Sequence, residues 1–144
     1  KGNHDFGSSH LNQHLVKAAM ESGLYAEHVK SLCAAYATKR DALLAALDRH
    51  LGDFEPDATH WTRPTGGMYV WLTLPDRFDT GRDGPLFSAA VAEGVLYVPG
   101  AFCYGPDPTR DVPTNQMRVS FGLATADQIE EGVARLARAI RSVG

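Results

Sequence analysis

The feature that most constrains this fold is an uninterrupted helical pattern from about Tyr25 to Leu51. Its apolar positions keep helical spacing, and Gly52 follows as a stop signal. They are Val29, Leu32, Cys33, Tyr36, Leu43, Leu44, Leu47 and Leu51. At roughly 1.5 Å per residue the helix would be about 40 Å long, which exceeds what a compact small domain needs. We therefore expect a helix that connects two lobes.

Shorter elements precede and follow this helix. Ser8 or Ser9 can cap an earlier helix, which Gly23 ends. After Gly52 the sequence changes to short β-prone runs separated by glycine and proline, with two further helices among them. Strands are expected near 60–61, 68–74, 95–98 and 115–122, and helices at 85–93 and after the capping box formed by Thr125 and Gln128. Helices packed on a small sheet make this an α+β fold.

The strand around Arg118 carries the most informative side chain. Its apolar residues alternate with Arg118 and Ser120, so one face is expected to be buried and the other open. The apolar residues are Met117, Val119 and Phe121. Such a strand holds a guanidinium rigidly away from the core, and the planar fork of arginine suits a carboxylate. Taken alone, an arginine of this kind is more often a surface ion-pair partner.

Composition excludes several classes of function. The net charge of −3, with no Lys/Arg cluster, gives no electrostatic case for nucleic acid. No apolar run is long enough to span a membrane. Cys33 and Cys103 are too few for a disulfide framework, which favours a reducing cytoplasm. The chain opens at Lys1 directly in structured-looking sequence, and we expect it to be a piece of a longer protein.

Two local patterns resemble ligand sites and are interpreted otherwise. His10 and His14 have metal-ligand spacing on a helix, but no third ligand is evident, so no metal site is expected. Gly66 and Gly67 precede a strand, whereas phosphate-cradling glycine loops precede a helix, so a tight turn is expected.

Three motifs, read in order, resemble the C-terminal part of the class I/II (fold-type I) aminotransferases, which depend on pyridoxal phosphate. They are Pro64-x-Gly66-Gly67-Met68-Tyr69-x-Trp71, then Gly94-Val95 followed by Pro99-Gly100 and Phe102, then Asn115-x-x-Arg118-x-Ser120-Phe121. The likeness covers essentially the whole chain. It is closest to the branch with 2-aminoadipate and aromatic aminotransferases, where Gly7-Ser8-Ser9-x-Leu11-x-Gln13 resembles the segment that closes the large domain near the dimer interface.

The resemblance implies a domain organisation and two binding residues. Residues 1–24 would end the large domain, 25–52 would form the inter-domain helix, and 53–144 would be the small C-terminal domain of the fold. Arg118 matches the arginine that binds the substrate α-carboxylate in this family. The loop after Pro99 is either a plain strand end or a wall of the active site with Phe102 near the substrate side chain.

The resemblance also implies what this chain lacks. The family's Schiff-base lysine, its pyridine-nitrogen aspartate and its phosphate-binding residues belong to the large domain, and Lys1, Lys17, Lys30 and Lys39 match no position for that lysine. We therefore expect no catalytic or cofactor-binding residue in this chain, no covalently held cofactor and no activity by itself. The full-length protein would transfer an amino group between an amino acid and a 2-oxo acid, with the missing large domain as partner, as a homodimer.

An alternative function is a transcription regulator. In such proteins an aminotransferase-like domain follows a winged-helix DNA-binding domain and senses pyridoxal phosphate, and their C-terminal sequence would look similar. An upstream basic DNA-reading domain would distinguish the two. A third interpretation, a stable folding unit without a ligand, is close to what we expect for the chain by itself.

Overall fold

The computed structural model describes residue 7 and residues 9–144, and it divides into two compact units, 1–35 and 36–144. The helices are α1 (His10–Glu21), α2 (Leu24–Leu51), α3 (Pro85–Ala92) and α4 (Ala126–Val143). The strands are β1 (His60–Trp61), β2 (Tyr69–Thr73), β3 (Val98–Pro99) and β4 (Gln116–Ser120), and a 3₁₀ helix spans Gly100–Cys103. Within the described residues no helix combines the length and apolarity that a membrane crossing needs.

The first unit consists of α1 and the beginning of α2. Ser9 caps α1 by accepting a hydrogen bond from the Asn12 backbone nitrogen at 3.4 Å, while Ser8 lies outside the described residues. Gly23 adopts φ +79°, which favours glycine, between the two helices. No residue of α1 is buried, and Cys33 of α2 is exposed. The expected apolar face of α2 is therefore not buried in this unit, because two helices alone provide no layer that would cover it.

The second unit is built on a four-stranded antiparallel sheet with the order β1-β2-β4-β3. Strand β4 lies between β2 and β3, so both of its edges are paired. In this register Arg118 stands opposite Trp71 on one side and Val98 on the other. Its backbone is therefore held from both sides.

The core lies on one face of this sheet. Val70, Leu72, Met117 and Phe121 are each 1% exposed or less and belong to one hydrophobic cluster with side chains of α2, α3 and α4. The helical contributions include Leu43, Leu47 and Leu51 of α2, Leu86 of α3, and Ile129, Val133, Leu136 and Ile140 of α4. The α+β fold with helices packed on a small sheet is thus confirmed.

The segment between α3 and β4 differs from the prediction. The strand expected at 95–98 is only Val98–Pro99, because the chain is still bonded to the end of α3, where the Val95 backbone nitrogen donates to the Ala90 carbonyl at 2.8 Å. Pro99 does not break the strand but pairs with Met117. The following loop begins with a 3₁₀ turn that the sequence pattern did not predict.

Candidate functional site

The candidate site is the open face of the sheet around Arg118. Met117 and Phe121 point into the core, so the strand alternation turns Arg118 to the opposite face, as predicted. Trp71, directly opposite on β2, faces the same way. The side chain of Arg118 is half-buried. The sheet thus presents one guanidinium on a surface lined by aromatic rings.

Arg118 has no polar partner in the described part of the chain. Its Nε is buried and makes no hydrogen bond, and no carboxylate lies within ion-pair distance of its guanidinium. Seven other arginines each contact a carboxylate: Arg40, Arg49, Arg63, Arg77, Arg135, Arg138 and Arg141. Arg82 and Arg110, like Arg118, contact no carboxylate in the described residues, but both are exposed to water. Buried polar atoms are normally hydrogen-bonded, so an unpartnered one on an open face indicates a binding group.

A ring contact holds the guanidinium instead. The Arg118 Cζ atom lies 4.3 Å from the centroid of the Tyr69 ring, the shortest cation–π distance among the described residues. A cation–π contact needs no hydrogen-bond acceptor, so it leaves the N–H donors of the guanidinium without a polar partner.

Further side chains complete this face. The rings of Trp71 and Tyr104 meet edge to face at 6.1 Å, and the Tyr104 hydroxyl lies 2.5 Å from Gln116 Oε1. Gln116 and Ser120 flank Arg118 on the same side of β4. Among the described residues no carboxylate competes for the guanidinium on this face.

Asn115 and Thr80 anchor the start of β4. The sequence had assigned neither side chain to a ligand. Asn115 Nδ2 donates to the Leu74 carbonyl at 2.6 Å and to Asp76 Oδ1 at 3.0 Å, which agrees with a structural role. The buried Thr80 hydroxyl lies 2.9 Å from the Thr114 carbonyl and 2.5 Å from the Gln116 carbonyl. No sequence signal pointed to Thr80, since its two partners lie more than 30 positions away.

Phe102, the second predicted binding residue, lies on the 3₁₀ helix and is 68% exposed. In the described residues it is Tyr69, and not Phe102, that stacks on Arg118. The role of Phe102 beside a substrate side chain stays a prediction.

Tyr97 carries another buried oxygen without a partner, on the core side of the sheet. Its ring belongs to the hydrophobic cluster and meets Phe87 edge to face at 5.4 Å. Burial raises the pKa of this phenol, and the charge of Asp79 adds to the shift. Tyr97 therefore stays neutral and belongs to the core, apart from the Arg118 face.

Each lysine in the described residues contacts an oxygen atom of the protein. Lys17 and Lys30 are exposed helical side chains that pair with Glu21 and Glu27 at 3.5 and 3.0 Å. Lys39 donates to the Gly122 carbonyl at 3.0 Å. That none of these three is the family's Schiff-base lysine stays a prediction. No group of three metal-ligating side chains occurs in the described residues.

Residues 3–136 match the family model described as aminotransferase class I and II. The chain belongs to this family. It is 37% identical, over 95% of its length, to the aromatic-amino-acid aminotransferase 1 of Thermococcus litoralis, of which it covers 30%. The structure of LysN, an α-aminoadipate aminotransferase from Thermus thermophilus complexed with N-(5′-phosphopyridoxyl)-L-leucine, matches with a TM-score of 0.80 at 32% identity. That match covers 99% of this chain and 33% of LysN.

The family is one of enzymes that use pyridoxal phosphate, and both of these relatives are aminotransferases by name. A similar segment also occurs in a protein that is named as a regulator and not as an aminotransferase. The uncharacterized HTH-type transcriptional regulator YisV of Bacillus subtilis is 31% identical over 95% of this chain, which covers 26% of that protein. This chain therefore spans about a third, or less, of the relatives that it matches.

Proposed function

We propose that this chain is the C-terminal part of a pyridoxal-phosphate-dependent aminotransferase that moves an amino group between an amino acid and a 2-oxo acid. In this proposal Arg118 binds the α-carboxylate of the substrate. The observation that carries it is the half-buried guanidinium with no carboxylate partner in the described residues, on a strand paired at both edges. Every amino-acid substrate and every 2-oxo acid product carries the carboxylate that this group would bind.

The geometry suits that task. A guanidinium gives a carboxylate two parallel, charge-assisted hydrogen bonds, which fix its direction as well as its position. Because β4 is bonded to β2 and β3, the base of the arginine side chain cannot drift when the ligand enters. A substrate held by its carboxylate keeps the bonds at its Cα in one orientation while they are rearranged.

The remaining parts of the active site belong to a large domain outside this chain. Pyridoxal phosphate, bound there, would supply the electron sink that amino transfer requires. The domain described here would close over the substrate and exclude water. A cytoplasmic homodimer is part of the same proposal. The 144-residue chain by itself should catalyse no amino transfer, which an assay of the purified chain with amino acid and 2-oxo acid would check.

The test of the Arg118 assignment is the Arg118→Ala variant of the full-length protein. Loss of two charge-assisted hydrogen bonds should lower kcat/KM for the amino acid by about 10²- to 10⁴-fold, at about 1.5–3 kcal/mol per bond. The visible absorption of the bound cofactor should stay unchanged. Arg82→Ala is the matched control, because Arg82 is an exposed arginine and should leave kcat/KM as it is. An unchanged substrate affinity in Arg118→Ala would mean that the role assigned to Arg118 is wrong.

The regulator is the second candidate, and the similarity to an HTH-type protein is the observation behind it. Addition of an amino acid to the cofactor-loaded full-length protein distinguishes the two. In an aminotransferase the visible band of the cofactor is lost with the amino donor and returns with a 2-oxo acid. A band that stays unchanged, without turnover, would favour the regulator.

A further inference from the structure

We propose that Tyr69 is a positioning residue, whose ring orients the Arg118 guanidinium for the substrate carboxylate without contacting the substrate itself. This inference rests on the proposed role of Arg118 and names the residue that prepares it for binding.

The sheet register brings the two side chains together. Tyr69 stands opposite Ser120, and Arg118 stands opposite Trp71, so Tyr69 and Arg118 are diagonal neighbours on adjacent strands. Diagonal pairs lie within reach of long and aromatic side chains. The distance of 4.3 Å from Cζ to the ring centroid is a direct cation–π contact.

The ring is the one anchor of this guanidinium in the described residues. Arg77 and Arg141 also lie over rings, at 4.7 and 5.6 Å, but each is bonded to a carboxylate, Glu55 and Asp53 respectively. In those pairs the carboxylate fixes the arginine and the ring is accessory. Arg110 also lies over a ring, that of Tyr104 at 5.3 Å, without a carboxylate, but it is exposed. Arg118 has the shortest of these ring contacts and no carboxylate, so the Tyr69 ring is the contact that can orient it.

The mode of contact explains why an aromatic ring suits this position. A carboxylate anchor would occupy the same N–H donors that the substrate needs, and its negative charge would repel the substrate. An aromatic ring carries no negative charge and takes up none of the N–H donors in a charge-assisted bond, so it leaves them to the substrate. An arginine already held in place loses less side-chain freedom when a ligand binds, which strengthens binding.

The Tyr69 hydroxyl is not needed for this role. It makes no hydrogen bond in the described residues, and the side chain is 43% exposed. Phenylalanine at this position should therefore preserve the effect, whereas leucine, of similar apolar character, should abolish it. Because the position is partly exposed, neither change should prevent folding.

The experiment compares Tyr69→Phe, Tyr69→Leu, Arg118→Ala and the double variant Tyr69→Leu/Arg118→Ala in the full-length protein. We expect Tyr69→Leu to raise KM for the amino acid by roughly three- to tenfold, the size of a partly desolvated cation–π contact, with kcat within about twofold of the unmodified protein. Tyr69→Phe should stay within about twofold in both constants. Thermal unfolding confirms that each variant is folded.

The double variant is decisive. In the Arg118→Ala background Tyr69→Leu should cause no further change in kcat/KM, which remains measurable when saturation is out of reach. An equal loss in both backgrounds would mean that the ring contacts the substrate directly, and would overturn this inference while the Arg118 assignment stands. A loss in Tyr69→Phe as large as that in Tyr69→Leu would assign the effect to the hydroxyl and would overturn it as well. An Arg118→Ala variant with unchanged kcat/KM would instead remove the proposed function itself.

Discussion

At the scale of the residue, the polar side chains near β4 fall into two groups with different uses. Asn115 and Thr80 are buried and bonded to backbone carbonyls, so they fix the path of the chain where the strand begins. Arg118 is half-buried and keeps its donors free. Polar groups that complete their bonding within the protein stabilise it, whereas one left without a partner on an open face is available to a ligand.

Gly100 also fixes the path of the chain, because it lets the chain after β3 approach β4 closely. A Cβ placed there would lie 2.6 Å from the Gln116 carbonyl oxygen and 2.8 Å from the Gln116 Cβ. We expect Gly100→Ala to lower the free energy of unfolding by about 1–3 kcal/mol, the range for overpacked sites. Urea denaturation measures this change in the free energy of unfolding. Gly105→Ala, with nothing within 4 Å of the added atom, is the matched control. Equal stability of the two variants would argue against the close approach.

At the residue scale, the sequence predicts the direction of the Arg118 side chain but not the ring that it contacts. The outward direction of Arg118 follows from strand alternation, which needs no knowledge of neighbouring strands. Its contact with Tyr69 depends on the register of β2 against β4, and a shift of one residue would move Tyr69 to the other face. No local pattern specifies that register. The stacking partner was therefore found only in the structure, although Tyr69 lies in one of the recognised motifs.

At the scale of the element, helices were easier to predict than short strands. The α2 pattern repeats over many turns, and the helix occupies Leu24–Leu51, close to the expected 25–51. Strand β3 has only two residues, and its position is set by a hydrogen bond from Val95 back to Ala90. A strand of two residues is too short to show an alternating pattern in the sequence. Whether α2 is an inter-domain helix, as the division at 1–24, 25–52 and 53–144 supposes, stays a prediction.

The N-terminus of α4 provides a test at this scale. The Thr125 hydroxyl accepts from the Gln128 backbone nitrogen at 3.3 Å, and the Thr125 backbone nitrogen donates to Gln128 Oε1 at 2.9 Å, which completes the capping box expected from the sequence. Thr125→Ala should lower the free energy of unfolding by about 1 kcal/mol. Chemical denaturation measures this loss. Thr125→Ser keeps the accepting oxygen and should therefore retain most of the stability that the cap provides. If the alanine and serine variants were equally stable, the cap would contribute nothing.

At the scale of the whole second unit, ion pairs of α4 connect it to the other elements. Arg138 pairs with Glu93 after α3 at 2.8 Å, and Arg141 pairs with Asp53 after α2 at 3.0 Å. Glu130 lies 2.5 Å from Arg49 and 2.8 Å from His50, both on α2. These side chains are largely exposed, so each pair contributes little and the hydrophobic core remains the main source of stability.

Glu130 nevertheless makes the stability of this unit depend on pH. Hydrogen bonds from His50 and then Arg49 hold the pKa of its carboxyl below the ordinary value of 4.5. A carboxyl whose pKa is lowered by folding stabilises the folded state above its unfolded pKa, and that contribution is lost as the pH falls through the folded pKa. The Glu130→Gln variant should therefore be less stable than the unmodified protein at about pH 6, and the difference should shrink as the pH falls below 4.5 and through the lowered pKa of the folded state.

Urea denaturation at a series of pH values measures this difference. High salt supplies the control, because an exposed pair is screened and the difference at about pH 6 should shrink. A difference that stays constant over the whole acidic range would show that Glu130 acts through packing and not through its charge, since a contribution from charge is lost as the pH falls through the folded pKa.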